Sequence, residues 1–158
     1  MLSITGSRRR RAAAAVLCLG LAFGLMVAGS AADQASAVTD SERAMVRLVN
    51  NTRRNHGLSG LKISWKLSGA AHRHSERMAR RGSLHEHSCL PCVLDKRGIT
   101  WRIAGENVGY GSTLRWIHRA MMRSTIHRSN ILNRGYRRIG IGVVKRSGRY
   151  WVTEIFYG

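Results

Sequence analysis

The chain has 158 residues, with 27 Lys and Arg against 8 Asp and Glu for a net charge of +19, and 3 cysteines. That is enough chain for one domain with a real core, and too few cysteines for a disulfide framework. The charge predicts attraction to anionic cell-envelope polymers and lipids, and most of it lies after residue 37, since only Arg8 to Arg11 and Asp33 are charged before that point.

The N-terminal residues speak to the compartment. Arg8 to Arg11 form a basic segment, residues 12–29 (AAAAVLCLGLAFGLMVAG) an apolar one, and small-residue sites follow at Ser30-Ala31-Ala32 and Ala35-Ser36-Ala37. That order reads as a secretory signal peptide over 1–37, cleaved after Ala32 or Ala37, which leaves 38–158 as an exported domain. A permanent anchor is the competing reading, because the apolar run is about long enough to span a bilayer. Cys18 lies inside the run rather than after it, which argues against a lipoprotein cysteine. No later segment is apolar enough to cross a membrane.

Thr39 and Glu42 have capping-box spacing and open a helix in which Met45, Leu48, Val49 and Thr52 recur at helical intervals, until Gly57 and Gly60 close it. LKISW is a short alternating segment. A second helix follows in KLSGAAHRHSERMARRG, where Leu67, Ala70, Ala71, His74 and Met78 share one stripe and Gly82 stops it. His74 is therefore expected to pack against the core rather than to ligate. The cysteine segment and AGENVGYG, both rich in turn formers, read as loops. A third helix starts near Ser112 or Thr113 with Leu114, Ile117 and Met121 inward. After HRSNILN come two β-rich runs, RRIGIGVV and RYWVTEIF, joined by the hairpin connection KRSG. Helices first and a terminal hairpin later predict an α+β fold with an antiparallel sheet.

Candidate chemistry is confined to His85 and His87, Glu106, His127, and the pair Cys89 and Cys92. Two imidazoles and a carboxylate can hold a divalent metal or act as acid and base, but their spacing matches no local metal motif, so any shared site must be built by the fold. Cys89 and Cys92 admit three readings: a local disulfide, a zinc cluster with the histidines, or a redox pair. Outside the cytosol an even pair favours the disulfide. A redox pair would need to open a helix after a strand in a βαβ unit, and nothing upstream supplies one.

The segments LVNNTRRNHGLSGL, AAHRHSERMARRGSL, AGENVGYG, STIHRSNILNRGYRRIGIGV and YWVTEIF, in that order, resemble the CAP superfamily (cysteine-rich secretory proteins, antigen 5, pathogenesis-related 1) in its short bacterial form. The resemblance implies a three-layer α-β-α sandwich with a central antiparallel sheet, and a shallow cavity lined by two histidines and acidic residues. By position, Glu106 and His127 belong to that cavity. His85 or His87 supplies the other histidine, and His87 is preferred because Ser88 follows it. A family pattern with a second acidic residue before the last histidine has no counterpart here, where Ser124 is the nearest polar side chain, and Met121 stands where bacterial relatives usually carry tryptophan.

The resulting expectation is a secreted, monomeric binding module that takes an apolar ligand or an anionic envelope polymer. His87, Glu106 and His127 would offer at most a weak site for a divalent metal such as zinc. The alternative is a metal-dependent hydrolase with Glu106 as general base. Specific nucleic-acid recognition is not expected, because export would separate the protein from the genome and no groove-reading motif is present.

Overall fold

The computed structural model describes residues 38–87 and 89–158, so the signal segment expected over 1–37 lies outside the described residues. In chain order the elements are α1 (Asp40–Asn55), β1 (Lys62–Ile63), α2 (Trp65–Arg81), α3 (Leu90–Asp95), β2 (Ala104–Gly111), α4 (Leu114–Arg123), α5 (Thr125–Ile131), β3 (Arg138–Arg146) and β4 (Arg149–Tyr157).

The start of α1 forms as its spacing predicts. Glu42 N donates to Thr39 Oγ1 at 3.2 Å, and Thr39 N donates to Glu42 Oε2 at 2.7 Å. The other carboxylate oxygen of the buried Glu42 reaches further. It accepts from His72 Nδ1 on α2 at 2.9 Å and from Val143 N on β3 at 3.2 Å. One side chain thus caps a helix and ties it to two other elements. Gly82, at φ 68°, ends α2 in the left-handed conformation that favours glycine. The β3–β4 hairpin turns through Ser147 and Gly148, both at positive φ (48° and 74°), as a two-residue connection between twisted strands requires.

The sheet order is β1-β3-β4-β2. The β3–β4 and β4–β2 pairs are antiparallel, but β1 joins the edge of β3 in parallel over two residue pairs. The expected antiparallel sheet is therefore a mixed one. Beyond those two pairs the edge of β3 is closed by side chains instead of a strand: Ile141 N donates to Ser68 Oγ, and Val143 N to Glu42.

Two segments read as loops are regular. AGENVGYG is the eight-residue strand β2, and LPCVLD is the short helix α3, with Pro91 in its first turn, where a missing N–H does no harm. The glycines of β2 serve close packing rather than a turn. A Cβ on Gly109 would lie 2.9 Å from Met121 Cε, and one on Gly111 would press into the Trp116 ring.

Strand alternation divides the sheet. Ile139, Ile141, Val143, Val152 and Phe156 face a core shared with Met45, Val46 and Val49 of α1 and Ile117 and Met121 of α4. On the opposite face Ile155 meets Leu67, Ala71 and Leu94, while Trp151 and Val108 meet Met78 and Ala79. The helix stripe read from the sequence is buried as expected, His74 included. This is a three-layer sandwich, with α2 and α3 on one face and α1, α4 and α5 on the other.

The backbone of α2 at Ala71 and His72 sits directly on Gly142, so a Cβ there would meet main-chain atoms that cannot give way. Gly142→Ala is expected to lower stability by about 3 kcal/mol, the upper end of overpacking penalties, measured as a shift in the urea unfolding midpoint with an unchanged slope.

Candidate functional site

Glu106 projects from β2 toward the α2 face. Both its oxygens hold His87: Oε2 accepts the backbone N–H at 2.7 Å, and Oε1 meets Nδ1 at 2.5 Å. The carboxylate thereby orients the ring and fixes the proton on Nδ1. Against this ring stacks His74, with centroids 3.8 Å apart. His74 Nε2 donates to the carbonyl of His85 at 2.7 Å, and its Nδ1 accepts from the Arg77 guanidinium at 2.9 Å. Burial pushes the His74 pKa down, and the nearby His87 adds to that, against the opposing pull of the His85 carbonyl and Glu106. His74 is a neutral, fully hydrogen-bonded core imidazole. His85 packs edge-on to it at 5.0 Å and contributes its carbonyl, not a side-chain ligand.

Ligating atoms of His74, His87 and Glu106 lie within 4.8 Å of one another, and this is the one such group among the described residues. Sequence reading proposed His87, Glu106 and His127 instead. The structure joins the first two and makes His74 the third neighbour. The donor types suit zinc, yet Glu106 and His74 already spend their polar atoms on hydrogen bonds. A divalent ion would have to displace some of them. Among the described residues, only His87 Nε2 of the two rings has no hydrogen-bond partner.

His127 belongs to the other side of β2. Glu106 and Asn107 are successive strand residues and point to opposite faces. Asn107 Nδ2 donates to the carbonyl of His127 at 3.2 Å and to Glu154 Oε2 at 3.1 Å, while Asn130 Nδ2 donates to Asn107 Oδ1 at 2.9 Å. These bonds dock α5 on the face away from α2. The His127 ring is held by Ser124, Nδ1 to Oγ at 2.8 Å. It borders a largely apolar depression of about 220 Å³ that wraps over the open edge of β2, walled by Leu84, Val108, Tyr110, Trp116 and Met121.

Residues 46–156 match the family described as CAP, the cysteine-rich secretory protein family. The chain belongs to that family. It is 35% identical over 128 residues to the uncharacterised protein YkwD of Bacillus subtilis, an alignment covering 78% of this chain and 49% of the relative. Among solved structures, a cysteine-rich secretory protein of Staphylococcus aureus superposes with a TM-score of 0.64 at 28% identity, covering 77% of this chain and 40% of that one. An extracellular protein of Bacillus anthracis containing an SCP domain gives 0.65 at 24% identity (74% and 40% covered). An outer surface protein of Borrelia burgdorferi gives 0.68 at 15% identity (76% and 93% covered). The chain thus spans about half the length of the Bacillus subtilis relative and less of the staphylococcal one.

Within this CAP domain Cys89 and Cys92 are joined to each other, with Cα atoms 5.3 Å apart. The bond closes the first turn of α3, next to the segment that carries His87. It is a staple, as the sequence favoured, and neither cysteine is left to build a zinc cluster.

Sequence reading missed Glu154. It stands on β4 opposite Asn107, fully buried, with Oε1 lacking any hydrogen-bond partner. Burial pushes its pKa from 4.5 up to about 7, although the Asn107 hydrogen bond pulls the other way. The folded protein therefore keeps a proton that the unfolded chain releases. Stability from this site is complete below about pH 4.5 and is lost as pH rises to about 7. Glu154→Gln is expected to match the parent at pH 4.5 and to exceed it by about 3 kcal/mol at pH 8, read from urea denaturation of both proteins across that range. Parallel pH curves would show that the carboxyl stays ionised in the fold.

Proposed function

We propose that the chain is an exported binding module that takes an apolar ligand in the depression beside His127. Export is supported by the signal-type sequence over 1–37 and by the extracellular and outer-surface descriptions of two structural relatives. Among the described residues no helix is long and apolar enough to cross a membrane. The observation that carries the ligand class is where exposed apolar side chains gather. Leu84 (42% exposed), Tyr110 (40%) and Trp116 (51%) all border this one depression, and Ile126 (72%) is the residue before His127. A small domain that leaves several large apolar side chains in water around one concavity gains by covering them. The basic surface would hold such a module near an anionic envelope.

An uncharged apolar fluorophore such as Nile red is expected to bind saturably. Trp116→Ala should weaken it at least tenfold, and Trp65→Ala, which removes an exposed tryptophan elsewhere, should leave it unchanged. Equal losses in the two variants would show that the dye reports general surface hydrophobicity.

A second reading, metal-assisted hydrolysis, rests on the His74, His87 and Glu106 group. When bound, a divalent ion would supply Lewis acidity. In this chain Glu106 is committed to His87, so its service as a general base requires that pairing to open. Isothermal titration with zinc is expected to show weak binding that is tighter at pH 8 than at pH 6, because imidazoles must be deprotonated to ligate. His87→Ala and Glu106→Gln should abolish it and His127→Ala should not. Loss of zinc binding in His127→Ala would restore the trio that includes His127.

A further inference from the structure

A second concavity, of about 280 Å³, opens between α2 and α3 and shares no residue with the apolar depression. Its walls carry Arg73 and Arg77 from α2, Lys96 and Arg97 from the end of α3, and His87 at one end; no carboxylate lines it. Among the described residues none of these four cations forms a salt bridge, since the acids that do pair, Glu42, Glu76 and Glu106, serve His72, Arg80 and His87.

Two of the guanidiniums are fixed before any ligand arrives. Arg97 donates from Nε to the carbonyl of Lys66 at 3.1 Å and from one terminal nitrogen to that of Val93 at 2.6 Å. Arg77 is held through His74. Each keeps further N–H donors free, because a guanidinium carries five. Burial lowers the pKa of Arg97, and the neighbouring Arg73 lowers it further. Crowded like charges with no counter-ion raise the energy of the empty protein, and an anion between them relieves it.

We propose that this cleft is a binding site for a phosphate group. A phosphate offers up to two negative charges and several acceptor oxygens, and guanidinium forks match it in a bidentate manner. A single carboxylate would leave most of the four cations unanswered. The Cys89–Cys92 disulfide lines the same cleft and closes the first turn of α3, so it helps to hold the helix whose end carries Lys96 and Arg97. Phosphate esters in solution and phospholipid headgroups share the chemistry the site reads.

The test uses the exported domain with inorganic phosphate and glycerol 3-phosphate as soluble probes, and phosphatidylglycerol against phosphatidylcholine vesicles as the membrane arm. Arg73 and Lys96 are exposed and, among the described residues, use no side-chain hydrogen bond, so Arg73→Gln with Lys96→Gln should keep the parent melting temperature. That pair is expected to weaken soluble phosphate at least tenfold. The control pair Arg119→Gln with Arg123→Gln, which removes the same charge from α4, should change it less than twofold. Phosphatidylglycerol binding that glycerol 3-phosphate competes away and the cleft pair abolishes would make the headgroup the source. Soluble binding without vesicle binding would make it a free ester. Absence of saturable soluble binding, or equal weakening by the control pair, overturns the site and leaves only diffuse surface charge.

Discussion

The height at which α2 rests on β3 governs the architecture of the site. Gly140 lies under Leu67 and Gly142 under the backbone of Ala71 and His72, with no room for a side chain at either position. Helix and strand therefore approach to main-chain contact. That approach lets Ser75 Oγ reach both the Gly142 carbonyl at 3.0 Å and Thr153 Oγ1 at 2.9 Å. It also brings His74 deep enough to stack on His87. A methyl group inserted below α2 would lift the imidazole stack and the bonds that depend on it together.

The edge strand β2 then distributes chemistry between two environments. Odd and even residues alternate, so Glu106 meets the imidazoles under α2 while Asn107 and Glu154 build a buried polar ladder beneath α5. The two ladders differ in solvation and in task. Glu106 is matched by two donors and orients a ring at the margin of a cationic cleft. Glu154 has a single donor and lies in the core, where ionisation has little to support it. His127 is tied to the second ladder by its carbonyl, and its ring faces an apolar hollow. A histidine pair that looks symmetric in sequence is thus split between a basic and an apolar surface.

Local signals carried most of the fold. The Thr39–Glu42 capping box, the buried stripe of α2, the Gly82 stop and the Ser147–Gly148 turn were all readable, because each depends on neighbours within a few residues. β2 was not, since glycines that weaken a strand by propensity are demanded here by helix α4 packing close above them. In the site, the contact between His87 and Glu106 joins two residues that the family resemblance singles out from far apart in sequence, and the disulfide was legible through compartment logic. His74 was rightly placed in the core, yet nothing in its spacing shows that burial also stacks it on His87. Glu154 escaped notice because a lone acid in a strand ordinarily marks a solvent face, whereas both faces of β4 are covered. Pairings over long sequence separations such as Glu42 with Val143 leave no local trace at all.

The treatment of the β3 edge has a consequence for self-association. β1 covers only two residues of β3, which would leave amides further along available to template a strand from another molecule. Ser68 Oγ and Glu42 Oε1 occupy the amides of Ile141 and Val143 instead. These acceptors come from helices already fixed in place, so an incoming strand would have to displace Ser68 or Glu42 Oε1 to gain a hydrogen bond from either amide. On that side two of the amides that could template amyloid-like growth or domain-swapped pairing are already occupied, without the length of a full edge strand.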